Sequence, residues 1–253
     1  MPSKHRFATE EIENFSTVDL ITELKRRYQV LSRPERSCVL LGAPYSGVST
    51  QSNFLRKEWG LCSIKRRDLY STPEATLDSA ISRLSDDIGS FRCRRGFILE
   101  NFPSSPAEGI ALDDLIRNKH PSRKDYRAIL LDLPHSNEQE KEHSEQELMR
   151  RAQGLLLHPS SGRQYNANVE DLRPQTPNVD DVSGEPLVCP NSDLSSVSAS
   201  IRNWWDSESA ISSFSSRLAR VDARKSIDSV SIEVSRILLG DSPSIAKDQS
   251  SEI

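Results

Sequence analysis

The stretch whose reading decides the fold is Cys38 to Thr50, CVLLGAPYSGVST. Cys38, Val39, Leu40 and Leu41 form a short apolar run, as expected of a strand buried on both faces of a parallel sheet. Ala43, Pro44, Tyr45 and Ser46 make a turn between two glycines, and Val48, Ser49 and Thr50 open a helix. Gly42, Gly47 and Ser49 match the spacing G-x-x-x-x-G-K-[ST], in which backbone N–H groups cradle phosphate oxygens and the lysine reaches the outer phosphates. Val48 stands at the lysine position. A strand, a glycine turn and a helix also occur in α/β proteins with no phosphate to bind, so this stretch alone leaves both readings open.

Upstream, Val18, Ile21, Leu24, Tyr28 and Leu31 recur at helical spacing, with Ser16 or Thr17 as cap. They predict a helix that docks before the first strand and is broken at Pro34. Downstream, Thr50 to Trp59 reads as helix and Gly60 as its end. Leu77, Ile81, Leu84 and Ile88 mark an amphipathic helix stopping near Gly89. Strands are expected in GFILENFP, from Gly96 to Pro103, and in AILLDLP, from Ala128 to Pro134, with a helix carrying Ile110, Leu115 and Ile116 between them. Strands alternating with helices imply a parallel sheet covered on both faces. His135 to Glu147 is polar enough to read as a solvated loop or an exposed helix start. Residues 154–193 lack a helical period and read as a small insertion, after which helices are expected at 195–205 and 208–218. A strand-like ARVDA and a helix with Ile227, Val230, Val234 and Ile237 on one face follow. Residues 1–15 are expected to be flexible and 241–253 disordered.

A chain of 253 residues can bury a full core, and one compact α/β unit is the default. The formal charge of −4, with both signs interspersed, excludes a dedicated nucleic-acid face. No apolar run approaches the roughly 20 residues that span a bilayer. Glu10, Glu11 and Glu13 are unlike a signal peptide, so a soluble, cytoplasmic protein without a membrane partner is expected. Cys38, Cys62, Cys93 and Cys189 form no C-x-x-C pair, which argues against structural zinc and for inert thiols in a reducing compartment.

Several segments, in order, resemble the adenylate kinase family. LLGAPYSGVSTQSNFLRKEWGLC is similar to the family's phosphate loop and following helix, through Gly42, Pro44, Gly47, Thr50 and Gln51. RRGFILENFP resembles the strand and turn at its monophosphate site, while LLLHPSSGRQYN and DDVSGEPL are similar to the lid of long-lid members. VDLITELKRRY is of the kind that precedes the first strand in eukaryotic members. The resemblance implies a P-loop NTPase-like parallel sheet with helices on both faces, in a core of residues 16–153 and 194–240. It further implies a lid at 154–193 and a shortened monophosphate-binding segment at 66–95.

The activity implied is reversible phosphoryl transfer from ATP to AMP with magnesium. The loop from Gly42 through Ala43, Pro44, Tyr45, Ser46, Gly47, Val48 and Ser49 to Thr50, with Arg66 and Asp68, would bind nucleotide; Arg151, Arg202 and Glu100 would serve the chemistry. Yet Val48, Ser71, Ser104, Leu155, Pro190 and Ile201 stand where the resemblance implies cations, Tyr45 where it implies a glycine, and Glu108 where it implies the glutamine that holds adenine. Each lost transition-state donor typically costs about 10²–10³ in rate. The leading expectation is therefore a catalytically impaired pseudoenzyme with a structural or regulatory binding role, its partner contacts falling on the degenerate cleft or on Trp204 and Trp205, which alternatively pack inside. The alternatives are an active enzyme with displaced cations at Lys65, Arg66, Arg67 and Arg202, or nucleotide binding without turnover.

Overall fold

The computed structural model describes residues 16–191, 193–212 and 218–240, so the expectations for 1–15 and 241–253 lie outside the described residues. Its centre is a five-stranded sheet of β1 (Cys38–Gly42), β2 (Cys62–Lys65), β3 (Phe97–Glu100), β4 (Arg127–Asp132) and β7 (Leu218–Asp222). The order across the sheet is β2-β3-β1-β4-β7, and every pairing is parallel. The fold is α/β of the P-loop NTPase type. Parallel neighbours need crossover helices, which here are α1 (Thr17–Ser32), α2 (Val48–Trp59), α3 (Arg66–Leu69), α4 (Leu77–Gly89), α5 (Pro106–Lys119), α6 (Glu138–Gly154), α7 (Leu194–Ser212) and α8 (Ile227–Leu239). A small antiparallel pair, β5 (Leu155–Leu157) and β6 (Gln164–Asn166), stands apart from the main sheet.

Alternation along β1 explains why both faces are covered. Cys38 and Leu40 enter one apolar cluster, with Leu55 and Trp59 of α2, Leu148 and Ala152 of α6, Ile201 of α7 and Val234 of α8. Val39 and Leu41 enter another, with Ala80, Leu84 and Ile88 of α4 and Leu112 and Ile116 of α5. With successive side chains pointing to opposite faces, a strand covered on both sides must be apolar throughout, and β1 is buried at every residue.

Several local expectations came out differently. Helix α1 is present and capped by Ser16, but its apolar stripe does not dock: Val18 and Tyr28 are each 72% exposed, and Ile21, Leu24 and Leu31 are exposed too. The opposite side of the helix meets the body. Arg26 donates to Lys57 O at 2.8 Å, and Arg95 donates to the carbonyls of Val30 and Arg33, each at 2.7 Å, satisfying orphan groups at the helix end. The polar stretch after His135 follows the second of its two expected readings, an exposed helix start: it opens α6, seventeen residues long, because Asn137 caps it and Leu148 and Ala152 give it a narrow buried edge. One helix, α7, runs through Trp205 and Glu208, where two had been expected; 213–217 lie outside the described residues.

The thiol expectation also needs correction. Cys62 and Cys93 form a disulfide, with Cα atoms 5.0 Å apart. Pairing of β2 with β3 brings Cys62 opposite Phe97, next to the 3₁₀ turn Phe91–Cys93, which no spacing in the sequence reveals. Cys38 is a buried thiol, pushed up in pKa by desolvation, and Cys189 is exposed.

Candidate functional site

The loop after β1 is shaped by close approaches. A Cβ on Gly42 would collide with Ser46 Oγ and lie 3.0 Å from Leu131 O, and Gly47 takes φ +106°, a left-handed value that favours glycine. Tyr45 adopts φ 67° without that freedom. Asn101, in the turn after β3, accepts from Gly42 N at 3.1 Å and so ties two strand ends together. The first-turn amides of α2 have no carbonyl partner within the helix, and Ser46 Oγ, in the loop that precedes them, is buried without a hydrogen-bond partner.

Above this loop lies a cleft of about 790 Å³. It is lined by residues 43–51, by Glu147, Arg150 and Arg151 of α6, by residues 164–166 and 168–172, by 223–227 after β7, and by Arg67 after β2. These groups gather at the carboxyl ends of parallel strands, where open α/β sheets bind ligands. Its volume is in the range of small-molecule sites.

The cleft's cations are mostly held by the chain's own carboxylates. Glu147 takes Arg150 at 2.7 Å and Arg151 at 2.8 Å, and these hydrogen bonds, that to Arg150 foremost, hold its pKa down to about 2. Arg151 also donates to Ala223 O at 2.9 Å. Arg224 pairs with Asp222 at 2.8 Å and Lys225 with Glu233 at 2.9 Å. Arg67 has only a loose 3.7 Å contact with Asp68.

Of the residues singled out in the sequence, those from Ala43 to Gln51, Arg67, Arg151 and Leu155 line the cleft, whereas Gly42, Glu100, Arg66, Asp68 and Arg202 do not. Val48 is buried in the apolar cluster under the loop. Glu100 is also buried and accepts from Ser52 at 2.6 Å, Ser63 at 2.5 Å and Ser49 at 3.4 Å. Asp68 sits inside α3 rather than capping it, and is exposed. Arg202 pairs with Glu145 at 3.1 Å on an exposed face, away from the cleft. Trp204 and Trp205 are partly buried against the core, and Trp205 stacks on His135 at 5.7 Å, so both are engaged in internal packing. Arg150, Arg224 and Lys225 escaped the sequence reading; position just after the strand ARVDA was the available signal for the last two.

Where the resemblance places the monophosphate, the chain bonds to itself. Glu108 is 5% exposed; it takes Arg66 at 2.9 Å and Tyr70 at 2.8 Å on one oxygen, and the amide and hydroxyl of Ser104, at 2.6 and 3.0 Å, on the other. Burial pushes its pKa up, but Arg66, Ser104 and Tyr70 outweigh this and leave it below the ordinary value. Burial, then Glu108, pushes Tyr70 up to about 12.

Residues 155–191 have their own polar knot. Asp180, with no side-chain exposure, takes two hydrogen bonds from Arg163 and others from Tyr165, Ser183 and the backbone. His158 lies 2.6 Å from both Ser161 and Glu185. This segment is rooted on α6 by three asparagines: Asn168, Asn166 and Asn191 donate to the carbonyls of Arg150, Arg151 and Ala152 at 2.7, 2.8 and 2.8 Å. Among the described residues, no group of three or more His, Cys, Asp or Glu is placed to hold a metal ion. No helix there is long and apolar enough to cross a membrane.

No family profile matches the chain. Individual relatives do. Adenylate kinase 4 of Oryza sativa subsp. japonica is 27% identical over 91% of this chain and 99% of its own length. Adenylate kinase 4 of Arabidopsis thaliana is 27% identical over 72% of this chain and 76% of its own. The chain is a divergent relative of the adenylate kinase family. An adenylate kinase of Laccaria bicolor, 29% identical, aligns with 59% of the chain and 61% of its own length. Against that relationship, the departures at Val48, Tyr45 and Glu108 are changes within an adenylate kinase-like frame rather than signs of a different fold.

Proposed function

We propose that this chain keeps the nucleoside-triphosphate side of an adenylate kinase-like cleft as a binding site and does not phosphorylate a nucleoside monophosphate. The observation that carries this is the saturated carboxylate of Glu108: both oxygens are occupied by Arg66, Tyr70 and Ser104, so Glu108 is committed within the chain, and Arg66 is held to it through one nitrogen while its Nε has no partner. On the donor side, the α2 first-turn amides and the unpartnered Ser46 hydroxyl suit phosphate oxygens, with Arg150, Arg151, Arg224 and Lys225 at the walls. ATP fits that donor set. Magnesium would travel with the triphosphate, since Glu100, the carboxylate that Ser49 of the loop reaches at 3.4 Å, is buried and bonded to three serines. Phosphoryl transfer depends on electrostatic stabilisation, and with Val48 in the core the loop contributes no cation of its own. Residues 154–193 are read as the lid. Ligand binding without turnover would give the protein a regulatory or structural role.

A weakly active enzyme is favoured by one observation, the presence of loosely paired Arg67 in the cleft. Calorimetric titration with ATP–magnesium and with AMP, followed by a coupled ADP assay on the same sample, separates the readings. Saturable ATP binding with no AMP binding and no ADP formation is expected. Turnover above the blank would establish the active reading and overturn this one; absence of ATP binding would also overturn it.

A further inference from the structure

We propose that Tyr45 is a positioning residue that latches the phosphate loop to the root of the lid, so that the lid's stance is set by the chain's own hydrogen bonds rather than by bound phosphate. This rests on reading residues 154–193 as the lid. Tyr45 Oη donates to Asn191 Oδ1 at 3.0 Å, and Asn191 Nδ2 donates to Ala152 O at 2.8 Å. Ala152, in the last turn of α6, lies where the chain enters the segment and Asn191 where it leaves, so the phenol holds the leaving end, which Asn191 in turn ties to the entering one.

The geometry is self-consistent. Asn191 has one acceptor and one donor end, and each faces a partner of the opposite kind, which fixes the carboxamide's orientation. The left-handed backbone at Tyr45, φ 67°, is unfavourable for a non-glycine residue and persists where surrounding contacts hold it. Those contacts are the hydroxyl bond and packing of the ring against the apolar cluster that includes Leu148 and Ala152. A glycine at this position could make neither contact.

The same region shows why a latch is needed. A lid can follow its ligand only if its contacts with that ligand differ between open and closed states. Leu155 and Pro190, at the two ends of the segment, carry no charge with which to grip a phosphate, and Ile201 is buried in the core. What remains to position the lid is the network at its root.

The test is hydrogen–deuterium exchange on the full chain, without nucleotide, comparing the wild type with Tyr45→Phe, Asn191→Ala and the double variant. Phenylalanine keeps the ring and removes only the hydroxyl, so the fold is retained. Losing one neutral hydrogen bond is expected to speed exchange of amides in 154–191 by about five-fold, with β1 and β4 unchanged. Tyr45→Phe should add nothing in the Asn191→Ala background, since both act through one bond. Unchanged exchange in 154–191, an equal rise throughout the sheet, or additive effects in the double variant would each overturn the latch. Adding ATP–magnesium to the wild type should leave lid exchange unaltered, and strong ATP protection of the lid would also overturn it. Because the comparison among variants is made without ligand, failure of ATP to bind would count against the proposed function and not against the latch.

Discussion

Glu108 holds Arg66 at 2.9 Å and Tyr70 at 2.8 Å on the same carboxylate oxygen, so a guanidinium and a phenol share one buried acceptor. Glu108→Gln removes the charge and keeps the shape. Tyr70, pushed up to about 12 first by burial and then by Glu108, should titrate closer to its ordinary value of 10, though not reach it, in an absorbance titration of tyrosinate. The sign for stability follows. With a raised folded pKa, the Tyr70 contribution is intact below about pH 10 and is lost as pH rises toward 12. In the variant that alkaline loss should shrink, while stability at neutral pH falls by roughly 1–3 kcal/mol as Arg66 loses its charged partner.

Glu147 predicts the acid limb. Its folded pKa, about 2, lies below the ordinary value of 4.5, so its contribution is complete above pH 4.5 and is lost as pH falls toward 2. Glu147→Gln should cost roughly 2–3 kcal/mol at pH 7 after allowance for solvent screening, and nearly nothing at pH 2, by urea denaturation at the two pH values. Equal losses at both would mean that the pairing with Arg150 and Arg151 does not set this carboxylate's ionisation.

The Cys62–Cys93 bond encloses α3 and α4, with the cysteines 31 residues apart. Closing a loop of that length should stabilise the fold by about 4 kcal/mol relative to the reduced chain. Reductant, or Cys93→Ser, is expected to lower the unfolding midpoint accordingly and to raise the thiol count of the denatured protein. A midpoint indifferent to reductant would show that the bond does not persist in solution.

Helix α1 yields a prediction of the opposite kind. Leu24 and Tyr28 are exposed, so Leu24→Ser and Tyr28→Ser should each change unfolding free energy by no more than about 0.5 kcal/mol. A loss of 2 kcal/mol or more in a denaturant titration would mean that the stripe is covered in solution.

The sheet was legible because its strands obey rules that act locally. Cys38 to Leu41 could only be covered on both sides, Gly60 ends α2 in the left-handed conformation expected, and the Leu77–Ile88 period marks α4. Periodicity, however, says that a helix has an apolar side, not what lies against it, and α1 meets the body with its other side. Helix α6 was obscured because only Ser144, Leu148, Ala152 and Gly154 are buried along it, too few to show through its charged surface. Within the site, the loop could be read from its glycines and the change at Glu108 from the resemblance. The grip of Glu147 on two arginines, the Tyr45–Asn191 contact and the Cys62–Cys93 bond depend on tertiary geometry. None of these leaves a mark in the spacing.

The three asparagines that bind the end of α6 have a chemical consequence. Carboxamides do not titrate, so the attachment through Asn166, Asn168 and Asn191 holds at acid pH where Glu147 lets go. They can, however, be hydrolysed. Deamidation of any one would replace an N–H donor with a carboxylate oxygen facing a backbone carbonyl, turning attraction into repulsion at the hinge. The joint between segment and helix is thus insensitive to protons but susceptible to ageing.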